Sequence, residues 1–182
     1  EVRYESFQDL ALYCHRVASV VGLISVEIFG YEDRKTLKYA HDLGMAFQLT
    51  NILRDVGEDA ARGRIYIPHD EMLAHGVSEQ DITQGRMSEE MAALLSAQAC
   101  RARRYYEQAL YKLPEHDRYS QRSGLIMAAV YMTLLDEIER EGYPVLKRRV
   151  KLSPWRKLWI AWRTARREAK RHAKGKKSRG RG

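Results

Sequence analysis

The chain has 182 residues, 45% hydrophobic and 31% charged, enough to bury one sizeable core and unlike a disordered or fibrous composition. Its formal net charge of +8 is uneven: residues 151–182 hold 13 Lys and Arg against the single acid Glu168, which leaves −4 on residues 1–150. An acidic body argues against a nucleic-acid partner, two cysteines (Cys14 and Cys100) fit reduced core thiols rather than a disulfide framework, and we find neither a signal-peptide pattern nor an apolar run of membrane-spanning length.

In chain order, Ser6 and Asp9 form a capping box for a helix running to about Phe29, where Gly30 ends it. Tyr13, Val17, Val20, Val21 and Ile24 recur along it at helical spacing beside Gly22, a stripe that suits core packing as well as a ligand wall. Asp33 can cap the next helix, which ends near Ala61. On that helix Gln48, Asn51, Asp55 and Asp59 are spaced three, four and four apart, so they share an arc of roughly 80°. Met45, Leu49, Ile52, Leu53 and Val56 make a separate apolar stripe that anchors the helix in a core.

Two carboxylates one turn apart, about 6 Å, repel by roughly 3 kcal/mol when partly buried, so Asp55 and Asp59 need a cation. Oxygen donors without nearby Cys or His suit a hard ion such as Mg2+, which keeps waters and phosphate oxygens among its ligands. Arg54, Arg62 and Arg64 add guanidinium forks that match phosphate. The other reading is a solvated, salt-bridged helix end made by Asp55, Glu58, Asp59, Arg62 and Arg64. The neutral pair Gln48 and Asn51 on the acidic face favours a bound ligand, and the residues alone leave both readings open.

Pro68, Gly76, the Ser78 and Asp81 box and Gly85 mark short turns of helix, Ser88 with Glu89 and Glu90 opens a long helix that Pro114 stops, and Tyr119 to about Arg140 forms another. With no strand alternation, repeat or hairpin signal, the expected fold is all-α, residues 1–150 forming the body. In residues 151–182 one helical face carries Trp155, Leu158, Trp159, Trp162, Ala165 and Ala169, and most of the remainder carries Lys157, Arg163, Arg167, Lys170 and Arg171. Such a helix suits an anionic membrane surface. The alternative is that it packs on the bundle and only Lys174 to Gly182 is a disordered basic end.

The run Leu43-Gly44, Gln48, Asn51-Ile52, Arg54-Asp55, Asp59, Arg62-Gly63-Arg64, Tyr66 and Pro68 resembles the second aspartate-rich motif of the squalene/phytoene synthase family. Tyr13-Cys14, Val17-Ala18 and Val21-Gly22 resemble its other characteristic helix, and Tyr131 its late tyrosine, so the likeness covers about residues 4 to 150. The resemblance implies an isoprenoid-synthase-type helical bundle around a central cavity. It also implies Mg2+-dependent (alternatively Mn2+-dependent) head-to-head condensation of two prenyl diphosphates, with no NADPH for the first half-reaction. By the same resemblance Asn51, Asp55 and Asp59 hold metal, and Asp55, Asp59 and Arg54 serve catalysis. Gln48, Arg54, Arg64, Tyr66 and Tyr131 bind substrate, and Tyr13, Val17, Val21 and Gly22 line the tunnel for its tail.

The family has two facing aspartate-rich motifs, whereas Asp55 and Asp59 form the single Asp-x-x-x-Asp of this sequence. We therefore expect the C-terminal part of an enzyme, with the upstream motif missing and no turnover by this part alone. The late pattern Gly142-Tyr143-Pro144, Arg148, Arg149-Val150 and Leu152 resembles bacterial presqualene diphosphate synthases of the hopanoid pathway, which join two farnesyl diphosphates. Phytoene synthases, which join two geranylgeranyl diphosphates, are the rival. A cytoplasmic protein peripheral to the inner face of the membrane is the matching location, and a non-catalytic membrane-surface-binding helical protein is the alternative of another class.

Overall fold

The structure is a computed structural model that describes residues 2–179, with side chains to residue 175. Its helices are α1 (Phe7–Cys14), α2 (Val20–Phe29), α3 (Lys35–Arg54), α4 (Val56–Ala61), α5 (His69–Ala74), α6 (Glu79–Thr83), α7 (Glu89–Lys112), α8 (Arg122–Arg140) and α9 (Pro154–Arg179). Among the described residues the only extended pairing is an isolated bridge between Val2 and Arg64. The all-α expectation holds.

The caps legible in the sequence are present. Ser6 and Ser78 make reciprocal capping boxes with Asp9 and Asp81, and Ser88 accepts from the Met91 N–H. The cap of α3 is more distant than expected. The Asp33 carboxylate accepts the Lys35 N–H, while the buried carboxylate of Asp117 accepts the N–H groups of Glu32 and Asp33 and the hydroxyl of Thr36 at 2.6 Å. The loop before α8 thus holds the start of α3.

Helix α3 is the hub, packed against α7 on one side and α1, α2 and α8 on others. Met45, Leu49, Ile52, Leu53 and Val56 are all buried, as the stripe requires. The helix does not run unbroken to Ala61: it bends at Asp55, whose φ of −104° and ψ of 10° separate α3 from α4. The bend keeps register, because the Asp55 N–H still donates to Asn51 O and the Asp59 N–H to Asp55 O. Asn51, Asp55 and Asp59 therefore stay one turn apart on one side.

Between α1 and α2 lies a π-helical turn, His15–Ser19, pinned where the Ser19 hydroxyl donates to His41 O at 3.0 Å. The segment Phe7–Phe29 corrects one expectation. Its 23 residues contain an 18-residue window of mean hydropathy 1.4, long and apolar enough to cross a membrane by length and composition, yet only 17% of that window is buried. Its apolar side faces the cavity described below. Cys14 is buried as expected, whereas Cys100 is exposed on α7.

Helix α9 closes the chain against α8. Ile160, Thr164 and Glu168 are buried, and Glu168 accepts a two-pronged pair of bonds from Arg118, both 3.0 Å. The helix continues to Arg179, past the Lys174 at which a disordered end was expected; residues 180–182 of that end lie outside the described residues.

Candidate active site

A cavity of about 340 Å3 lies between α2, α3 and α8, lined by Val17, Val21 and Gly22 on one wall, Gln48 and Asn51 on another, and Met127 and Tyr131 on the third. The lining is mostly aliphatic and aromatic, suited to a hydrocarbon ligand. Gly22 belongs to this wall, and packing gives it a second reason: an added Cβ would lie 2.8 Å from Ala40 O, so only glycine lets α2 cross α3 this closely.

Tyr13 is not part of the wall, contrary to the spacing argument. The π turn inserts one extra residue between it and Val20, which rotates the two ends of the long helix by about 100° relative to each other. Tyr13 instead packs with Tyr4 and Tyr66, ring centroids 5.4 to 6.0 Å apart across the three pairs. Burial and a bond to Tyr66 keep the Tyr13 phenol un-ionised well above the ordinary tyrosine range.

Beside the apolar cavity lies a second hollow of about 320 Å3, lined by Arg54, Tyr131, Arg149, Lys151 and Lys157 among others. Tyr131 borders both hollows, its ring 4.9 Å from that of Phe47, and shares the lining of the cationic one with Arg54. One space is greasy and the other cationic, with Tyr131 between them and Arg54 on the cationic side.

The two carboxylates are placed differently: Asp55 is held by arginines of the cationic hollow, and Asp59 lies at a separate cleft. Asp55 accepts from Arg54 Nε at 2.7 Å and pairs with Arg149 Nε at 2.9 Å, so two guanidiniums neutralise it. The bond to Asp55, opposed by burial, holds the Arg54 pKa above its usual value. Asp59 borders a small cleft with Arg64 and Tyr66. Burial, then the charge of Asp55, raises its carboxyl pKa above the ordinary aspartate value despite Arg62 and Arg64. The Oδ1 of Asn51 is buried without a hydrogen-bond partner. Such an atom is costly unless something else takes its lone pair.

No group of three His, Cys, Asp or Glu in a metal-binding cluster occurs among the described residues. The donor set nevertheless fits a hard divalent ion of the Mg2+ type: an orphaned amide oxygen, a carboxylate disfavoured as a bare anion and a second carboxylate one turn away. Gln48 and Asn51 face the apolar cavity, Arg54 and Tyr131 the junction, and Arg64 and Tyr66 the cleft beside Asp59.

Arg149, Lys151 and Lys157 were not among the sequence-predicted site residues. The sequence shows Arg149 only within the late pattern, Lys151 only in the basic run from Lys147, and Lys157 only on the polar side of the tail helix. They reach the site because the turn Pro144–Leu146 lies hard against α4, where a Cβ on Gly57 would come within 2.4 Å of Leu146 O.

An all-α bundle that sets an apolar cavity beside an acid-and-guanidinium mouth belongs to the isoprenoid-synthase type of helical fold. Residues 1–156 match the family model for squalene/phytoene synthase, and the chain belongs to that family. It is 40% identical over 171 residues to the 15-cis-phytoene synthase of Synechococcus elongatus, covering 86% of this chain and 54% of that protein. It is 41% identical over 162 residues to the chloroplastic phytoene synthase 2 of Solanum lycopersicum, covering 86% and 52%. Among solved structures, a ligand-bound dehydrosqualene synthase superposes with a TM-score of 0.76 at 30% identity, over 90% of this chain and 58% of that one. The squalene synthase HpnC of Alicyclobacillus acidocaldarius gives 0.71 at 25% identity, over 79% and 54%. The chain thus spans about half the length of the curated relatives it matches.

Proposed function

We propose that this chain supplies one wall of a prenyltransferase that condenses two prenyl diphosphates head to head. The observation that carries the reading is the pair of adjoining hollows, one apolar and one cationic, which share Tyr131, with Asp55 paired to Arg54 and Arg149 of the cationic one. A prenyl diphosphate has the same division into greasy tail and anionic head.

In this reading Val17, Val21, Gly22 and Met127 hold the tail and exclude water, while Arg54, Arg149, Lys151 and Lys157 receive the diphosphate. Asn51, Asp55 and Asp59 would hold Mg2+, or Mn2+ in its place, whose chemistry is to draw negative charge from the departing diphosphate. The allylic carbon–oxygen bond breaks with its electron pair on the diphosphate. The second substrate's double bond then attacks the cation, and loss of a proton closes a cyclopropane. Tyr131 and Arg54 contact the leaving group from between the two hollows, so charge separates in a dry, preorganised site. No reductant enters this half-reaction.

For the substrate we propose two farnesyl diphosphates giving presqualene diphosphate, on the pattern from Gly142 to Leu152. Two geranylgeranyl diphosphates are the second reading, favoured by the roughly 40% identity to phytoene synthases. Incubating the full-length protein with Mg2+ and each diphosphate, then identifying the lipid formed, tests both; no condensation from either substrate would sink the proposal. The reading also includes a cytoplasmic protein resting on the inner face of the membrane through residues 151–182.

A further inference from the structure

Helix α9 has two opposite faces. Ile160, Thr164 and Glu168 are buried against the bundle, and at 100° per residue Trp155, Leu158, Trp159 and Trp162 lie about half a turn round from them. Those four are exposed by 81%, 62%, 55% and 57%, so the helix is docked and still presents a continuous apolar stripe outward. The two sequence readings, packed helix and surface helix, each describe one of its faces.

Charge identifies what the outward face fits. Arg163, Arg166, Lys170 and Lys174 flank the stripe, the Arg163 and Arg166 guanidiniums lying 5.2 Å from the Trp159 and Trp162 rings. Arg156 and Arg171 are engaged by Glu137 and Glu115 on the bundle side. Glu168, the single acid of residues 151–182, is turned inward onto Arg118. Among the described residues, the outward face therefore presents indoles and unpaired cations with no carboxylate. A nucleic acid would take the cations and leave Leu158 and three indoles in water. An anionic bilayer accepts both, because indoles settle at the level of the headgroups and cations bind the phosphates.

We propose that α9 lies in the surface of an anionic leaflet, with Trp155, Leu158, Trp159 and Trp162 sunk below the headgroups and Arg163, Arg166, Lys170 and Lys174 bound to them. The inference rests on the membrane part of the reading above and not on the condensation chemistry. Trp155, Trp159 and Trp162 are the three tryptophans of the sequence, so intrinsic fluorescence reports on this face alone.

The test is a titration of residues 1–182 with vesicles of roughly three parts phosphatidylcholine to one part phosphatidylglycerol, followed by emission and by co-sedimentation. A blue shift with sedimentation, absent with phosphatidylcholine alone, is expected. Combining Arg163→Gln, Arg166→Gln and Lys170→Gln should weaken partitioning on the order of a hundredfold. Combining Trp155→Ser, Trp159→Ser and Trp162→Ser should abolish sedimentation with an unchanged circular dichroism spectrum. No response to anionic vesicles overturns the proposal. So does a blue shift that grows with protein concentration without lipid, which would make a second copy the occupant, or an equal shift with duplex RNA. Turnover plays no part in the readout, so failure here leaves the prenyltransferase reading to its own test.

Discussion

Asp55 already has two cationic partners in Arg54 and Arg149, whereas Asp59 has a raised pKa and Asn51 an orphaned oxygen. A bare divalent ion must displace guanidinium from Asp55, but an ion bound to diphosphate leaves both guanidiniums free to pair with phosphate oxygens. Calorimetry should therefore detect weak binding of Mg2+ alone and of pyrophosphate alone, and binding at least tenfold tighter when both are present, roughly 1.4 kcal/mol of coupling. Arg149→Gln should remove most of that coupling. Asp59→Asn should raise the thermal midpoint of the metal-free chain slightly while abolishing Mg2+-dependent pyrophosphate binding. Because the folded pKa of Asp59 is raised, its ionised form works against folding, so its unfavourable contribution fades as pH falls through that raised value. The ladder of Gln48, Asn51, Asp55 and Asp59 was readable beforehand because helical spacing alone builds it. Arg149 was not, since it lies 94 residues from Asp55 and arrives through a tertiary contact.

Two contacts between elements bring the late part of the chain to the site. Gly57 admits the Pro144–Leu146 turn, and Gly57→Ala, though worth about 1 kcal/mol in helix propensity, should cost a net 1–3 kcal/mol by overlap with Leu146 O and should also weaken pyrophosphate binding. The buried Arg118–Glu168 pair anchors α9, and Glu168→Ala leaves that guanidinium uncompensated at a cost of about 3–5 kcal/mol, measurable by urea unfolding. Burial raises the Glu168 pKa, but the bonds from Arg118 and the charges of Arg167 and Arg171 outweigh it and the net shift is downward. The resulting stability is full above the ordinary glutamate value of 4.5 and is lost as pH falls through the lower folded value. Caps set by neighbours three residues apart, such as Ser6 with Asp9, could be read from the sequence. The cap that Asp117 gives α3 and the π turn that carries Tyr13 out of the wall could not, because each depends on what packs across from it.

On the scale of the whole chain, the apolar wall is open. Val17, Val21 and Met127, which line the cavity, are exposed by 43%, 58% and 49%, far more than a site that must shelter a carbocation can tolerate. Residues 1–182 on their own should give no detectable condensation of farnesyl or geranylgeranyl diphosphate with Mg2+, and lipid product in a radiolabel assay would contradict this. The all-α architecture followed from the helical periodicity, whereas the division into a greasy and a cationic hollow emerged only when α3, α8 and the segment after Pro144 came together. Lys157, which borders the cationic hollow, sits on α9 between Trp155 and Trp159, about 3 Å along the axis from each. At 100° per residue, however, Lys157 lies about 200° round the helix from both indoles, so with these resting in a leaflet any phosphate it gripped would sit on the bundle side, about one helix diameter or 10 Å further out. An amphiphile passing from bilayer to enzyme would then raise its polar end by no more than the thickness of that one helix.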